Sequence, residues 1–252
     1  MKKVISFASV KGGTGKSTLS ILTALTLSAQ GKKVLFIDLD PQNSSTFFFV
    51  GDPGYKSIFK VFMGDDVEKQ IIKTEFNIDL LPSDLRLLDC RTIETNKIKK
   101  LLPKVDYDYC IIDTAPTYDA LTQNAYFASD IIIIPSTVDA FSYKTCHFLI
   151  EKFQSLDIEA DINILLNLWT PPKDTVKPTA WSVRESDLFR KDETINTFLM
   201  NNHIPRTMSL RRIIAEKGYR LKGKSLEPIT NLVYEITGEQ LEIDFIGEVV
   251  NG

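Results

Sequence analysis

The sequence predicts an α/β fold, a mostly parallel, twisted sheet flanked by helices on both faces. Two observations predict it. Short apolar runs rich in β-branched residues are continuous rather than alternating, the pattern of strands covered on both sides. Segments of helical period lie between them, and strand–helix–strand repetition implies right-handed crossovers in one sheet. The length of 252 residues suits one α/β domain and is short for two. With 43% hydrophobic and 25% charged residues, disordered, collagen-like and low-complexity classes are excluded.

In chain order, Val4–Ala8 reads as the first strand, followed by a glycine-rich turn and a helix over Ser17–Gln30. Lys33–Ile37 and Ile78–Leu81 are the next strands, and Thr92–Leu102 is a helix. Tyr109–Ile112 is a strand, Tyr118–Ala128 a helix, Ile131–Ile134 a strand, Ser142–Leu156 a helix and Ile162–Leu166 a strand. The run Thr170–Pro178, rich in proline and charge, reads as an exposed loop. No repeat or linker divides the chain, so residues 1–252 are expected to form one domain.

Several classes fall away. The longest uninterrupted apolar run is Ile131–Pro135, far below the roughly 20 residues a membrane span needs. The stretch after Met1-Lys2-Lys3 is too short and polar for a secretory leader. Cys90, Cys110 and Cys146 are few and widely spaced, as expected of buried thiols in a reducing compartment. The net charge of −3 argues against a generally basic nucleic-acid coat. Yet His203–Lys224 carries Arg206, Arg211, Arg212, Lys217, Arg220, Lys222 and Lys224 against Glu216 alone. The chain from Ser225 onward holds acids and neither Lys nor Arg.

The strongest motif is Ser9-Val10-Lys11-Gly12-Gly13-Thr14-Gly15-Lys16-Ser17-Thr18, placed between a strand and a helix. Its glycines let the backbone curl so that successive N–H groups face phosphate oxygens. The helix start adds partial positive charge at the same point. Gly12, Gly13, Thr14, Gly15, Lys16, Ser17 and Thr18 are therefore expected to cradle ATP. Lys16 would reach the β- and γ-phosphates, and the Ser17 hydroxyl would ligate Mg²⁺. Such a loop predicts a P-loop NTPase fold.

Carboxylates stand where such a site needs them. Val34–Ser44 places Asp38 and Asp40 just past a buried strand, two apart and so on one side if the strand continues. Tyr109-Cys110-Ile111-Ile112-Asp113 is an apolar run ending in an acid, which reads either as a metal-binding strand end or as a strand followed by a helix cap.

The K-G-G-x-G-K-S/T form of the loop resembles the deviant Walker A motif of the ParA/MinD family of ATPases. That resemblance implies catalytic roles for Lys11, Lys16 and Asp40. Lys16 would serve its own nucleotide, while Lys11 would reach across a dimer interface to the phosphates held by the partner subunit. The segment Asp38-Leu39-Asp40-Pro41-Gln42 is similar to the family's switch I, with Asp40 on the attacking water and Asp38 supporting Mg²⁺. Asp113 would hold Mg²⁺ through a water, and Thr114-Ala115-Pro116 resembles switch II. The likeness extends through Asp130–Pro135, Asp139–Ser142 and Ile204-Pro205-Arg206, and is poor over Pro171–Phe198. Asn167, at a strand end, could read the adenine edge or be a plain strand-end asparagine.

By this resemblance the chain would bind ATP, pair face to face with a second copy and hydrolyse slowly. The branch remains to be chosen. The tail Gln240–Val250 alternates apolar residues with acids, so it would be repelled by anionic lipid and suits an edge strand or a packed tail. No membrane partner is expected. No separate amino-terminal helix-turn-helix domain is expected either, because the phosphate loop begins near residue 9. The reading is a ParA-type partition ATPase, cytoplasmic and nucleoid-associated, whose ATP dimer binds nonspecific DNA through residues 203–224. A centromere-binding ParB-type protein would trigger its release. The alternatives are a positioning ATPase for another cargo and a nucleotide-gated adaptor that binds no DNA.

Overall fold

The structure is a computed structural model and describes residues 3–169, 187–206, 221–222, 226–239 and 245–246. In chain order it runs β1 (Lys3–Phe7), α1 (Lys16–Ala29), β2 (Val34–Leu39), α2 (Ser44–Val50), α3 (Ile58–Phe62), α4 (Val67–Gln70), β3 (Ile72–Lys73) and β4 (Ile78–Leu81). It continues with α5 (Lys97–Leu101), β5 (Tyr109–Thr114), α6 (Ala120–Ala128), β6 (Ile131–Ser136), α7 (Ala140–Ser155) and β7 (Asp161–Asn167). Then come α8 (Glu193–Thr197), β8 (Leu199–Ile204), β9 (Leu221–Lys222), α9 (Glu227–Thr237) and β10 (Phe245–Ile246).

Eight strands form one sheet in the order β3-β4-β2-β5-β1-β6-β7-β8, parallel throughout except for the β3–β4 pair. This is the predicted α/β class. Every residue of β2, β5 and β6 is buried, which is why these runs are continuously apolar. Alternate residues serve opposite faces. Ile5, Phe7, Ile111 and Ile133 pack beneath α1 and α9 with Leu22, Leu232 and Val233. Val4, Cys110, Ile112 and Ile132 pack on the other side against Leu121, Leu149 and Phe153 of α6 and α7. Truncating one such residue, Ile111 for example, to alanine costs about 2–5 kcal/mol in lost contacts and cavity.

The parallel strands bring the turns after β1, β2, β5, β6 and β7 to one edge of the sheet, where ligands of open α/β sheets bind. Elsewhere the structure departs from expectation in instructive places. The helix expected over Thr92–Leu102 is only Lys97–Leu101, followed by a 3-10 turn over Leu102–Lys104 that contains Pro103. Its start is set from afar, since Asn124 Oδ1 accepts from the N–H groups of Lys97 and Ile98. The sequence pattern marks neither the helices α2 and α9 nor the edge strand β8. Phe48 and Phe49 of α2 anchor it by edge and stacked contacts with Phe36 and Phe76.

All three cysteines are buried thiols. Within the acidic tail, Phe245–Ile246 forms a short antiparallel ribbon with Leu221–Lys222, and the rest of Gln240–Val250 lies outside the described residues. Among the described residues, no helix is long and apolar enough to cross a membrane.

Candidate functional site

The turn between β1 and α1 needs its glycines at two positions in particular. Gly13 has φ +75° and Gly15 has φ +94°, both in the region that L side chains rarely adopt. Gly15 is the N-cap of α1 and offers no side-chain acceptor, so no side chain caps the helix start. A fourteen-residue helix therefore opens with donors and partial positive charge aimed at this edge. Lys16 follows directly and is 7% exposed. Burial lowers the pKa of its ammonium, while the charges of Asp113 and Asp40 pull the other way. The loop, the lysine and two predicted acids thus share one small volume.

Asp113, the penultimate residue of β5, lies beside Asp38 of β2, the two being direct register neighbours and both fully buried. One Asp113 oxygen, Oδ2, accepts from the Ser45 hydroxyl at 2.6 Å. The other, Oδ1, is buried with no donor. Burial raises the Asp113 pKa, against the hydrogen bond from Ser45, the nearby Ser17 hydroxyl and the charge of Lys16. Burial and the Asp113 charge likewise raise Asp38, against hydrogen bonds from Thr46 and Asp40. Two buried carboxylates side by side call for a cation. The orphaned Asp113 oxygen next to the Ser17 hydroxyl, both hard oxygen donors, fits a small divalent ion.

Asp38 is placed differently from a bare ligand. Its Oδ2 accepts from Thr46 N and Thr46 Oγ1, each at 2.8 Å, and its Oδ1 from Asp40 N at 3.0 Å. It therefore shapes the turn into α2. The strand does not continue to Asp40 as the alternation argument required. It ends at Leu39, and the chain turns, with Asn43 N donating to Asp40 O and Gln42 N to Asp40 Oδ1. Ser83, just past β4, secures this turn by donating its hydroxyl to Asp40 O at 2.6 Å and its N–H to Thr46 Oγ1 at 3.0 Å.

Lys11, expected to extend toward a partner, is held within its own chain. Its Nζ donates to Asp139 Oδ2 at 2.6 Å, Ser142 Oγ at 2.9 Å and Thr137 Oγ1 at 3.0 Å, and lies near the exposed ring of Phe141. The other Asp139 oxygen caps α7 by accepting from Phe141 N and Ser142 N. Burial works against ionisation of Asp139, but hydrogen bonds from Lys11, Thr137 and Ser142 outweigh it and hold the carboxyl far below its usual range.

Asn167, expected either to read the adenine edge or to be a plain strand-end asparagine, faces the phosphate loop. It is 3% exposed, and its side chain lies against the phosphate loop, with Nδ2 donating to Thr14 O at 2.6 Å and Oδ1 accepting from Leu168 N at 2.9 Å. Of the predicted basic surface, Arg206 is described and exposed. Lys222 falls in β9, and Arg211, Arg212, Lys217, Arg220 and Lys224 lie outside the described residues. Sequence reasoning missed Ser45, Thr46, Ser83, Thr137 and the role of Asp139. Of these only Asp139 carried a local signal, as an acid three residues before Ser142 at a helix start.

A family model described as an AAA domain matches residues 2–167. The virulence plasmid ParA family protein pGP5-D of Chlamydia psittaci is 31% identical over 219 residues, which is 79% of this chain and 84% of that protein. The chain belongs to the ParA family. Among solved structures, a protein of Borrelia burgdorferi B31 described as a plasmid partition protein, bound to AMPPNP, superposes with a TM-score of 0.81. It is 26% identical, covering 94% of this chain and 99% of that one. Cobyrinic acid a,c-diamide synthase of Mycobacterium smegmatis, with bound ADP and magnesium, has a TM-score of 0.72 at 23% identity, over 96% of this chain and 98% of that one. At that identity the likeness is one of fold alone, and the fold is that of a P-loop NTPase. In this member of the ParA family the loop after β1, the turn after β2 and the end of β5 meet at one edge of the sheet.

Proposed function

We propose that this chain is a Mg²⁺-dependent ATPase of the ParA type that acts in partition of plasmid or chromosomal DNA. Residues 9–18 wrap the triphosphate of ATP, Lys16 faces the β- and γ-phosphates, and Ser17 and Asp113 hold Mg²⁺ with Asp38 ordering the turn beside them. One observation carries the reading: Lys16 and Ser17 meet Asp113, with its donorless oxygen, at a helix start that no side chain caps. Family membership and the partition names of the Chlamydia and Borrelia proteins support the cellular role.

Bound Mg²⁺ would supply positive charge against the phosphate oxygens. The chain's own groups do the rest. The loop N–H groups and Lys16 position the phosphates, and Asp40 orients the attacking water or takes its proton. Lys11 leaves Asp139 and reaches the phosphates of the partner subunit, adding a cation where charge grows on the leaving group. The nucleotide thereby controls a dimer. That dimer binds DNA without sequence preference through Arg206 and the basic stretch beyond it, on the nucleoid, until a centromere-binding ParB-type protein stimulates hydrolysis.

A gel shift on random duplex tests this, with ATP and Mg²⁺ over a salt series. The expected result is a shift that needs both and falls with salt at a slope of about −0.9 per phosphate contacted. The double substitution Arg211→Ala, Arg212→Ala should weaken it. ATP turnover without any shift at low salt would assign the chain to the adaptor class instead, and a chain that binds no ATP would overturn the ATPase reading.

A further inference from the structure

Asn167 stands at the junction of two facts that no nucleotide contact explains. It ends β7, and the next residue, Leu168, turns back with φ +55°. The Leu168 N–H can bond only to the amide oxygen of Asn167, so Oδ1 is fixed on that side and Nδ2 is aimed at the phosphate loop. There Nδ2 donates to Thr14 O at 2.6 Å, across 153 residues of chain. A Cβ added at Gly15 would lie 2.2 Å from the same nitrogen. The amide thus occupies the room that any side chain at residue 15 would take.

Peptide geometry gives this contact a consequence. The Thr14–Gly15 peptide is trans, so the Thr14 carbonyl and the Gly15 N–H point in opposite directions from one rigid plane. Pinning the carbonyl against Asn167 turns the Gly15 N–H away from β7. In the sheet, β5 with Asp113 stands on the opposite side of β1 from β7.

We infer that Asn167 is a positioning residue of the phosphate loop: it aims the Gly15 N–H at the bound phosphate by holding the Thr14 carbonyl. The inference rests on the phosphate-binding reading of this loop. It gives Asn167 a role at the phosphates, and it adds a second reason, beside the positive φ, why residue 15 has no side chain.

Two measurements on the full chain test it. The first needs no ligand. Hydrogen exchange of the segment 9–18 should quicken in Asn167→Ala and in the near-isosteric Asn167→Asp, which still accepts from Leu168 N but has no proton for Thr14 O. Exchange in β5 and β6 should stay unchanged, which shows that the variants are folded. Unaltered exchange over 9–18 overturns the inference.

The second is calorimetric titration with ATP, ITP and inorganic tripolyphosphate in the presence of Mg²⁺. Asn167→Ala should weaken all three by a similar factor, about tenfold at most for one hydrogen bond. A loss confined to ATP, with tripolyphosphate unaffected, makes Asn167 a base reader and overturns the inference. Should the wild-type chain bind none of the three, the proposed function fails, and the exchange measurement still decides whether Asn167 shapes the loop.

Discussion

Lys11 and Asp139 form an ion pair of 2.6 Å that ties the phosphate loop to the first turn of α7. The pair is partly exposed, and the same carboxylate caps the helix through its second oxygen. The lysine proposed to act in a partner subunit is thus anchored at home by three hydrogen bonds.

Asp139→Asn keeps the capping oxygen and removes the charge. The ATP-dependent dimer should then form at about two- to fivefold lower protein concentration, the scale of a partly exposed ion pair. Light scattering with a nonhydrolysable ATP analogue measures this. A weaker dimer would mean that Asp139 supports the assembled state instead.

Lys16→Ala should lower ATP affinity by more than tenfold, since charged hydrogen bonds contribute about 1.5–3 kcal/mol. Removing the ammonium also takes away a positive charge that Asp113 and Asp40 both feel. Calorimetry with ATP and Mg²⁺ reads the loss, and retained affinity would contradict the assigned role.

Asp40→Ala should leave ATP binding intact and stop turnover, so that the dimer persists. Phosphate release is the measurement. Wild-type hydrolysis in this variant would remove Asp40 from the chemistry.

Gly15→Ala meets two penalties, a positive φ and the Asn167 nitrogen 2.2 Å from the new methyl. It should destabilise the fold by about 1–3 kcal/mol or more, lowering Tm by about 2–4 °C for each kcal/mol. Gly12→Ala is the contrast, because a Cβ there meets open space. Its Tm should hardly move. Equal shifts in the two variants would refute the crowding argument.

Acid stability should report on Asp192. A hydrogen bond from Tyr143, then one from Ile195 N, lower its pKa to about 2, with His147 adding to the effect. The folded value lies below the ordinary 3.8, so this stabilisation is complete above that value and is lost as pH falls toward 2. Between pH 5 and about 2.5 the wild-type Tm should fall more steeply than that of Asp192→Asn. Parallel curves would show that Asp192 contributes nothing to acid sensitivity.

What could be read in the sequence was local. The strand, glycine turn and helix of residues 3–29 follow from neighbouring residues, and the continuous apolar runs of β2, β5 and β6 follow from burial on two faces. The rest depends on distant partners. Lys11 meets Asp139 across 128 residues, so its orientation has no signature near residue 11. Asn167 looks like any strand-end asparagine until β7 is placed beside the loop. The Ser44–Val50 helix, with its three phenylalanines in a row, lacks helical patterning and is held by Asp38 and by packing on Phe36 and Phe76.

The Ser83 bridge gives the turn bearing Asp40 a tether to the outer part of the sheet. Because the serine grips both the Asp40 carbonyl and the Thr46 hydroxyl, the turn has two ways to shift: it drags the end of β4 along, or it snaps those bonds. Two residues further on, the 3-10 turn Leu85–Cys90 sets Leu85 and Leu88 out in solvent. A shift of the Asp40 turn would thus be passed through Ser83 toward two exposed leucines on the exterior.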